Sequence, residues 1–304
     1  MKRILGAIVL GIATLAASAG ERICVGTYNI RLACGSDSAA GNGWGRRCPH
    51  VADLVRFHGF EIFGTQEGYK HQLDSLKARL PHFAYTGHGR DDGRDKGEHS
   101  AIFYDTDVFE LLDSGDFWLS ETPDVPGKLG WDAACPRVCS WGKFRHRASG
   151  KELMFASVHM DHIGKTARVE GAKLIKRTLH EIAADLPAIV VGDFNVDQTN
   201  PAYFTMIEDG AMKDSYEAAE FRYAPNGTFN AYLTEAFSPW RIDHVFVSPQ
   251  IEVKKYGILT DTYRTHREPG PDFEPGPAPD ALIRMDYEAR TPSDHFPVLV
   301  HIEM

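Results

Sequence analysis

The sequence predicts one large α/β domain, with sheet layers inside and helices outside. Three observations predict it. Short apolar runs rich in β-branched residues, mostly arranged as antiparallel-type hairpins, are interspersed with stretches of helical apolar spacing. No break in composition divides the chain, and no repeat of solenoid period is visible. Nearly every apolar run ends on a polar or charged residue, which has no simple structural explanation.

Met1–Ala19 carries Lys2 and Arg3, an apolar run from Ile4 to Ala17 and small residues at Ala17-Ser18-Ala19, the pattern of a secretory signal peptide. The run is too short for a membrane-spanning helix, and no later stretch approaches the required length. The expectation is an exported chain, periplasmic or extracellular, with residues 20–304 as its domain. Among 304 residues, 43% are hydrophobic and 25% charged, as in globular proteins, and the formal charge is −9. Loss of Lys2 and Arg3 takes this to about −11, which disfavours duplex nucleic acid as the main partner. Of five cysteines, Cys24 lies in an apolar strand. Cys34 and Cys48 bracket a Gly/Ser-rich loop that a disulfide could close, and Cys135 and Cys139 lie within a long loop. The cysteine spacings do not suit zinc.

The first strand is Ile23–Ile30. Pro49 opens a helix with Val51, Leu54 and Val55 on one face. A short strand at Ile62-Phe63-Gly64 runs into Thr65-Gln66-Glu67, and Leu73, Leu76 and Leu80 mark a helix stopped by Pro81. A charged glycine-rich loop precedes a strand at Ala101–Tyr104, and Val108–Leu112 follows. Phe117–Trp141 reads as a long functional loop. Strands at Val138–Arg145 and Leu153–His159 join through Ser149-Gly150. Lys165–Leu186 is a helix whose face holds Ile175, Leu179, Ile182 and Leu186. It delivers the chain into Ala188–Asp197, AIVVGDFNVD, a buried strand that ends on Asp-x-Asn. In an extended chain Asp193 and Asn195 share a side while Phe194 faces inward. Taken alone, that pair fits a strand-to-loop turn as well as a site. Arg241–Val247, Ile251–Leu259 and Phe296–Ile302 complete the strands, with a proline- and acid-rich segment, Arg264–Thr291, before the last.

The strand ends supply Asn29, Glu67, His159 with Asp161, Asp193 with Asn195, Asp243 with His244, and Asp294 with His295. Glu67 and Asp294, with Asn29, offer hard oxygen ligands of the kind Mg²⁺ takes. His159 and His295 suit proton transfer near neutral pH, and Asp243 suits the orientation of His295 through a ring N–H. Oxygen ligands plus imidazoles describe a site for hydrolysing phosphate esters.

The series TYN at Thr27–Asn29, TQE at Thr65–Glu67, SVHMD at Ser157–Asp161, GDFN at Gly192–Asn195, RIDHVFV at Arg241–Val247 and PSDHFPV at Pro292–Val298 resembles the endonuclease/exonuclease/phosphatase superfamily across nearly the whole mature chain. Phe117–Asp124 and Trp131–Trp141 are similar to segments of its secreted bacterial branch. The resemblance implies a four-layered α/β/β/α sandwich of DNase I-like fold in one domain, with a single active site at one edge of two sheets. It implies Glu67 as principal ligand of Mg²⁺, or alternatively Mn²⁺, with Asn29 and Asp294 near the ion. Asp193 positions or deprotonates water with help from Asn195. His295, held by Asp243, binds the phosphoryl group and shares its proton traffic, His159 binds or protonates on the other side, and the resemblance does not separate Asp193 from His295 as the base. Asp161, His162, Arg168 and Glu98 join as candidate substrate contacts; helix salt bridging is the other reading of Arg168, and a charge before a hairpin strand the other reading of Glu98.

The expected function is therefore an exported, monomeric, metal-dependent phosphatase or phosphodiesterase on a small or sugar-linked phosphorylated substrate. A secreted nuclease is the alternative within that chemistry, and a catalytically inactive binding protein is the alternative outside it. No apolar hairpin suited to a lipid surface is evident.

Overall fold

The computed structural model describes residues 22–183, 185–267 and 287–304. The signal-peptide expectation and most of the Arg264–Thr291 segment lie outside them. In chain order the elements are β1 (Arg22–Asn29), α1 (Gly35–Ala39), α2 (Trp44–Phe57), β2 (Ile62–Gln66), α3 (Lys70–Arg79), β3 (Phe83–Thr86), β4 (Ile102–Asp105), β5 (Phe109–Trp118), β6 (Val138–His146), β7 (Glu152–His159) and α4 (Lys165–Ala183). There follow β8 (Ala188–Asp193), α5 (Pro201–Ile207), β9 (Lys213–Asp214), α6 (Ser215–Ala218), β10 (Phe221–Tyr223), β11 (Asp243–Val247), β12 (Glu252–Ile258), β13 (Tyr263–His266), β14 (Tyr287–Arg290) and β15 (Val298–Glu303). One sheet has the order β10-β12-β15-β1-β2-β4-β3 and the other β5-β6-β7-β8-β11-β9, with β13 and β14 pairing separately.

Three apolar layers separate four layers of structure. Val25, Ile62, Val298 and Val300 of the first sheet meet Phe144, Phe155, Val191 and Val245 of the second. Outside the second sheet, Val158, Val190 and Phe246 pack on Leu174, Ile175 and Leu179 of α4. Outside the first, Tyr28, Phe63 and Phe103 pack on Val51, Leu54 and Val55 of α2 and on Leu73 and Leu76 of α3. The alternation along β8 explains its unbroken apolar run: Ile189 and Val191 face the other sheet, and Val190 faces the helices. The sheets approach so closely beneath the site that a Cβ on Gly64 would lie 2.5 Å from Ser157 Oγ and from Val191 Cγ2.

Register then fixes what meets at one edge. His159 of β7 lies beside Asp193 of β8, and Asp193 lies beside Asp243 of β11. In the other sheet Asn29 pairs with Gln66, next to Glu67. Asp294 and His295 immediately precede β15, which runs antiparallel to β1. The ends of six strands from both sheets thus converge.

Several local expectations are corrected. Pro49 does not open α2 but sits inside it, because the helix begins at Trp44 after Gly43. The supposed Cys34–Cys48 loop is largely helical and the two thiols are free. Cys24, Cys135 and Cys139 are free as well, with Cys139 in β6 rather than in a loop. β5 extends through Phe117 and Trp118, so the long loop starts later.

Arg47, which sequence reasoning passed over, is wholly buried in α2 and donates to the carbonyls of Asn42, Ile30, Pro292 and Arg31. It ties the end of β1 to the segment that carries Asp294. Arg47→Met leaves those acceptors buried without donors and is expected to cost about 3 kcal/mol or more in urea unfolding. A change below about 0.5 kcal/mol would show that the network carries no stability.

Candidate active site

Asp193 is the hub of the converging strand ends. Its Oδ2 accepts from Asn29 Nδ2 at 3.0 Å and lies 3.5 Å from His159 Nε2 and 3.8 Å from His295 Nε2. Its Oδ1 accepts from the Asn195 amide N–H at 2.8 Å. The Asp193–Asn29 bond crosses from one sheet to the other, so the two sheets hold one constellation. Asn195 is not placed by strand alternation. It lies beyond β8 in a left-handed conformation (φ 52°), where its side chain donates to Met160 O and to His159 Nε2, each at 3.0 Å. Gly192 permits this ending, because a Cβ there would lie 1.9 Å from Val158 O.

Glu67 also has a left-handed backbone (φ 66°), which turns its carboxylate back into the cleft. Its oxygens accept from Asn29 Nδ2 at 3.0 Å and from the Leu32 N–H at 3.1 Å. Arg31, left-handed as well (φ 56°), places Nη1 3.8 Å from Glu67 and 3.6 Å from Asp294. His295 Nδ1 bonds Asp243 Oδ2 at 2.8 Å.

The electrostatics separate the two imidazoles. Burial lowers the His159 pKa well below the usual range, and Arg137, Arg90 and His295 push it the same way. Its proton then belongs on Nδ1, toward Glu98 Oε2 at 3.8 Å, while Nε2 accepts from Asn195. Burial would lower His295 too, but the Asp243 charge and hydrogen bond outweigh it, and the pKa is raised well above the usual range. Asp193 is raised by burial and by Asp243. Asp294 is raised by burial, with Glu67 adding to the effect. A buried group of mutually repelling carboxylates is the environment a hard divalent cation relieves. Ligand atoms of Glu67, Asp193 and His295 lie within 4.8 Å of one another, and their oxygen-rich donor set fits such an ion.

Asp243→Asn is expected to lower kcat about 10- to 100-fold and to move the alkaline limb of its pH profile to lower pH, because the charge that raises His295 is gone. An unshifted profile would show that Asp243 does not set the His295 proton.

The cleft at this edge measures about 440 Å³. Glu67, Glu98, His159, His162, Asp193, Asn195, Asp294 and His295 line it, so most sequence candidates meet there. Asp161 and Arg168 do not line it. Asp161 accepts from the backbone N–H groups of Ile163, Gly164, Ala134 and Cys135 and pairs with Arg137; burial opposes its charge, but these partners lower its pKa. Arg168 donates to the Asp161 carbonyl at 2.8 Å. Cys135, Asp161 and His162 also cluster closely, but the Asp161 oxygens are already engaged. Arg31, Arg90, Arg137 and Phe229 enter the cleft unannounced by any strand end. The charged loop around Arg90 and the long loop Phe117–Trp141, which holds Arg137, signalled two of them.

A two-sheet sandwich gathers acids, amides and imidazoles at one edge, the groups that hydrolysis of phosphate esters uses. The sequence matches the Endonuclease/Exonuclease/phosphatase family over residues 26–295, and the chain belongs to that family. The family is in general one of divalent-metal-dependent enzymes. A mannosyl-6-phosphatase of Bacteroides thetaiotaomicron is 54% identical, with 93% of this chain and all of that one covered at a TM-score of 0.85. A family protein of Bacteroides vulgatus is 36% identical over 93% of this chain and 99% of that one, with a TM-score of 0.81. The chain spans about a third of the length of the curated relatives it matches at 22% identity, 34% of an Acanthamoeba polyphaga mimivirus protein and 32% of Drosophila melanogaster Nocturnin, with 68% and 67% of this chain covered.

Proposed function

We propose that this chain is an exported, Mg²⁺-dependent phosphoesterase that hydrolyses a phosphate monoester on a small or sugar-linked substrate. The observation that carries this reading is the Asp193 hub: one carboxylate of raised pKa, fixed by two amides and set between a neutral and a protonated imidazole. The 54% identity to a protein titled a mannosyl-6-phosphatase supports the monoester and the sugar. The leader-like residues 1–19 support export. No described helix is long and apolar enough to cross a membrane.

In this reading Glu67, with Asn29 and Asp294, would hold Mg²⁺, and Mn²⁺ as a substitute, and the bound ion would supply positive charge against the phosphoryl oxygens. Asp193 takes the proton of the attacking water, for which a raised pKa suits a carboxylate. Asn29 and Asn195 keep its two oxygens aimed. His295, protonated and oriented by Asp243, donates from Nε2 to the phosphoryl group as charge grows on its oxygens. As the water oxygen bonds to phosphorus, the bond to the substrate alcohol breaks, and the alcohol leaves with a proton from solvent that balances the one Asp193 takes. His159 lines the opposite side.

The test is a substrate panel with Mg²⁺ and with chelator: p-nitrophenyl phosphate, bis-p-nitrophenyl phosphate, sugar phosphates, single-stranded DNA and RNA. Chelator-sensitive turnover of the monoesters, at least tenfold above the diesters, is expected. Preferential cleavage of nucleic acid would replace this reading with a nuclease.

A further inference from the structure

We propose that Arg90, Glu98, Arg137 and His162 form a wall that recognises substrate hydroxyl groups, and that the preferred substrate is a polyhydroxylated monoester, a sugar phosphate. The inference rests on the phosphoesterase reading above and extends it to the group that carries the phosphate.

The wall stands one imidazole ring from the reacting carboxylate: His159 faces Asp193 Oδ2 through Nε2 at 3.5 Å and Glu98 Oε2 through Nδ1 at 3.8 Å. It is rigid. Arg90 donates to both Glu98 oxygens at 2.8 and 2.7 Å, and the Arg90 N–H bonds the Glu98 carbonyl at 3.0 Å, closing the base of a glycine-rich loop. That loop is anchored where the His99 N–H donates to Gly68 O, next to Glu67. Arg137 contacts His162 Nδ1 through Nη2 at 3.0 Å and pairs with Asp161 through Nε at 3.5 Å.

The wall also has unspent hydrogen-bonding capacity. Among the described residues Arg137 Nη1 is buried without a hydrogen-bond partner, and Arg90 Nε makes no hydrogen bond, with the Asp91 carboxylate 3.9 Å away. A carboxylate accepts about four hydrogen bonds, and among the described residues the Glu98 side chain takes two, both from Arg90, with His159 Nδ1 3.8 Å from Oε2. Buried donors left unpaired are costly, so such donors beside free acceptor sites call for a ligand that can do both. A hydroxyl is that group.

Charge points the same way. Arg90 is matched by Glu98, Arg137 by Asp161 and Arg31 by Asp37, so among the described residues no arginine of the cleft is left unmatched to meet a second phosphate or a polynucleotide backbone. Phe229, 43% exposed and edge-on to His295 at 5.0 Å, adds an apolar surface for the C–H face of a sugar ring.

The experiment compares kcat/KM for mannose 6-phosphate, its 2-, 3- and 4-deoxy analogues and p-nitrophenyl phosphate, in wild type, Glu98→Gln and Arg90→Lys, all with Mg²⁺ and with melting curves to check folding. Wild type is expected to lose about 10- to 100-fold on removal of at least one hydroxyl. In either variant that discrimination should shrink several-fold, through KM more than kcat, and the preference for mannose 6-phosphate over p-nitrophenyl phosphate should fall with it. Deoxy analogues handled as well as the parent by wild type would overturn the proposal. So would an equal fall on both parent substrates in a folded variant, which would mean that the wall acts only by positioning His159. Failure of wild type on every monoester would instead remove the phosphoesterase reading, and this inference with it.

Discussion

Asp193→Asn is expected to lower kcat against p-nitrophenyl phosphate by about 10²- to 10⁴-fold, the range that general-base catalysis contributes. The substitution keeps shape and removes charge and basicity, at the cost of one of the two acceptor oxygens that Asn29 Nδ2 and the Asn195 N–H now share. It should also raise the melting temperature of the chelator-treated protein at neutral pH. The sign follows from the direction of the pKa shift. Burial and the Asp243 charge raise Asp193 in the folded chain, so the folded state binds more protons there than the unfolded one. Stability contributed by this group therefore falls as pH rises above the ordinary carboxylate range, and the stabilisation gained by the asparagine should shrink as pH is lowered toward 4. A variant both less active and more stable would be a site strained for its chemistry. Unchanged kcat in a folded variant would remove Asp193 as the base.

Glu67→Gln is the second large effect. If Glu67 is the principal ligand, the Kd for Mn²⁺, read by electron paramagnetic resonance of the free ion, should rise about 100-fold or more. Activity at sub-millimolar Mg²⁺ should vanish and return only in part at high concentration. The glutamine cannot satisfy both neighbours as the glutamate does, since Glu67 accepts from Asn29 Nδ2 on one oxygen and from Leu32 N–H on the other. A small drop in melting temperature is expected for that reason. Unaltered Mn²⁺ binding would move the principal ligand elsewhere, with Asp193 the nearest alternative by geometry.

Glu67, Asp193, Asp243 and His159 were legible because strands end where apolar alternation stops, and a polar residue at that point stands out. Asn195 was legible for the wrong reason. Alternation would have placed it beside Asp193, yet a left-handed turn puts it there, and Asp-x-Asn tolerates both. Asp161 lies in the motif of His159 and Arg168 on the helix that follows, but both hold the loop behind His159, not the cleft itself. Arg47 gave no signal, since an arginine on a helix is ordinarily a solvated charge, and its burial depends on carbonyls brought from four separate positions.

By itself the sequence determined the alternation of strands and helices, the apolar faces that build three packed layers, and the polar residues at strand ends, all of which are properties of short windows. Tertiary structure alone decided which strand ends become neighbours. Parallel pairing of β7 with β8 and antiparallel pairing of β8 with β11 put His159, Asp193 and Asp243 in one row, and the stacking of the two sheets set Asn29 and Glu67 against it. Residues 29 and 193 can share a hydrogen bond only after the sheets have formed and closed on each other. That contact depends on chain topology, which local sequence does not encode.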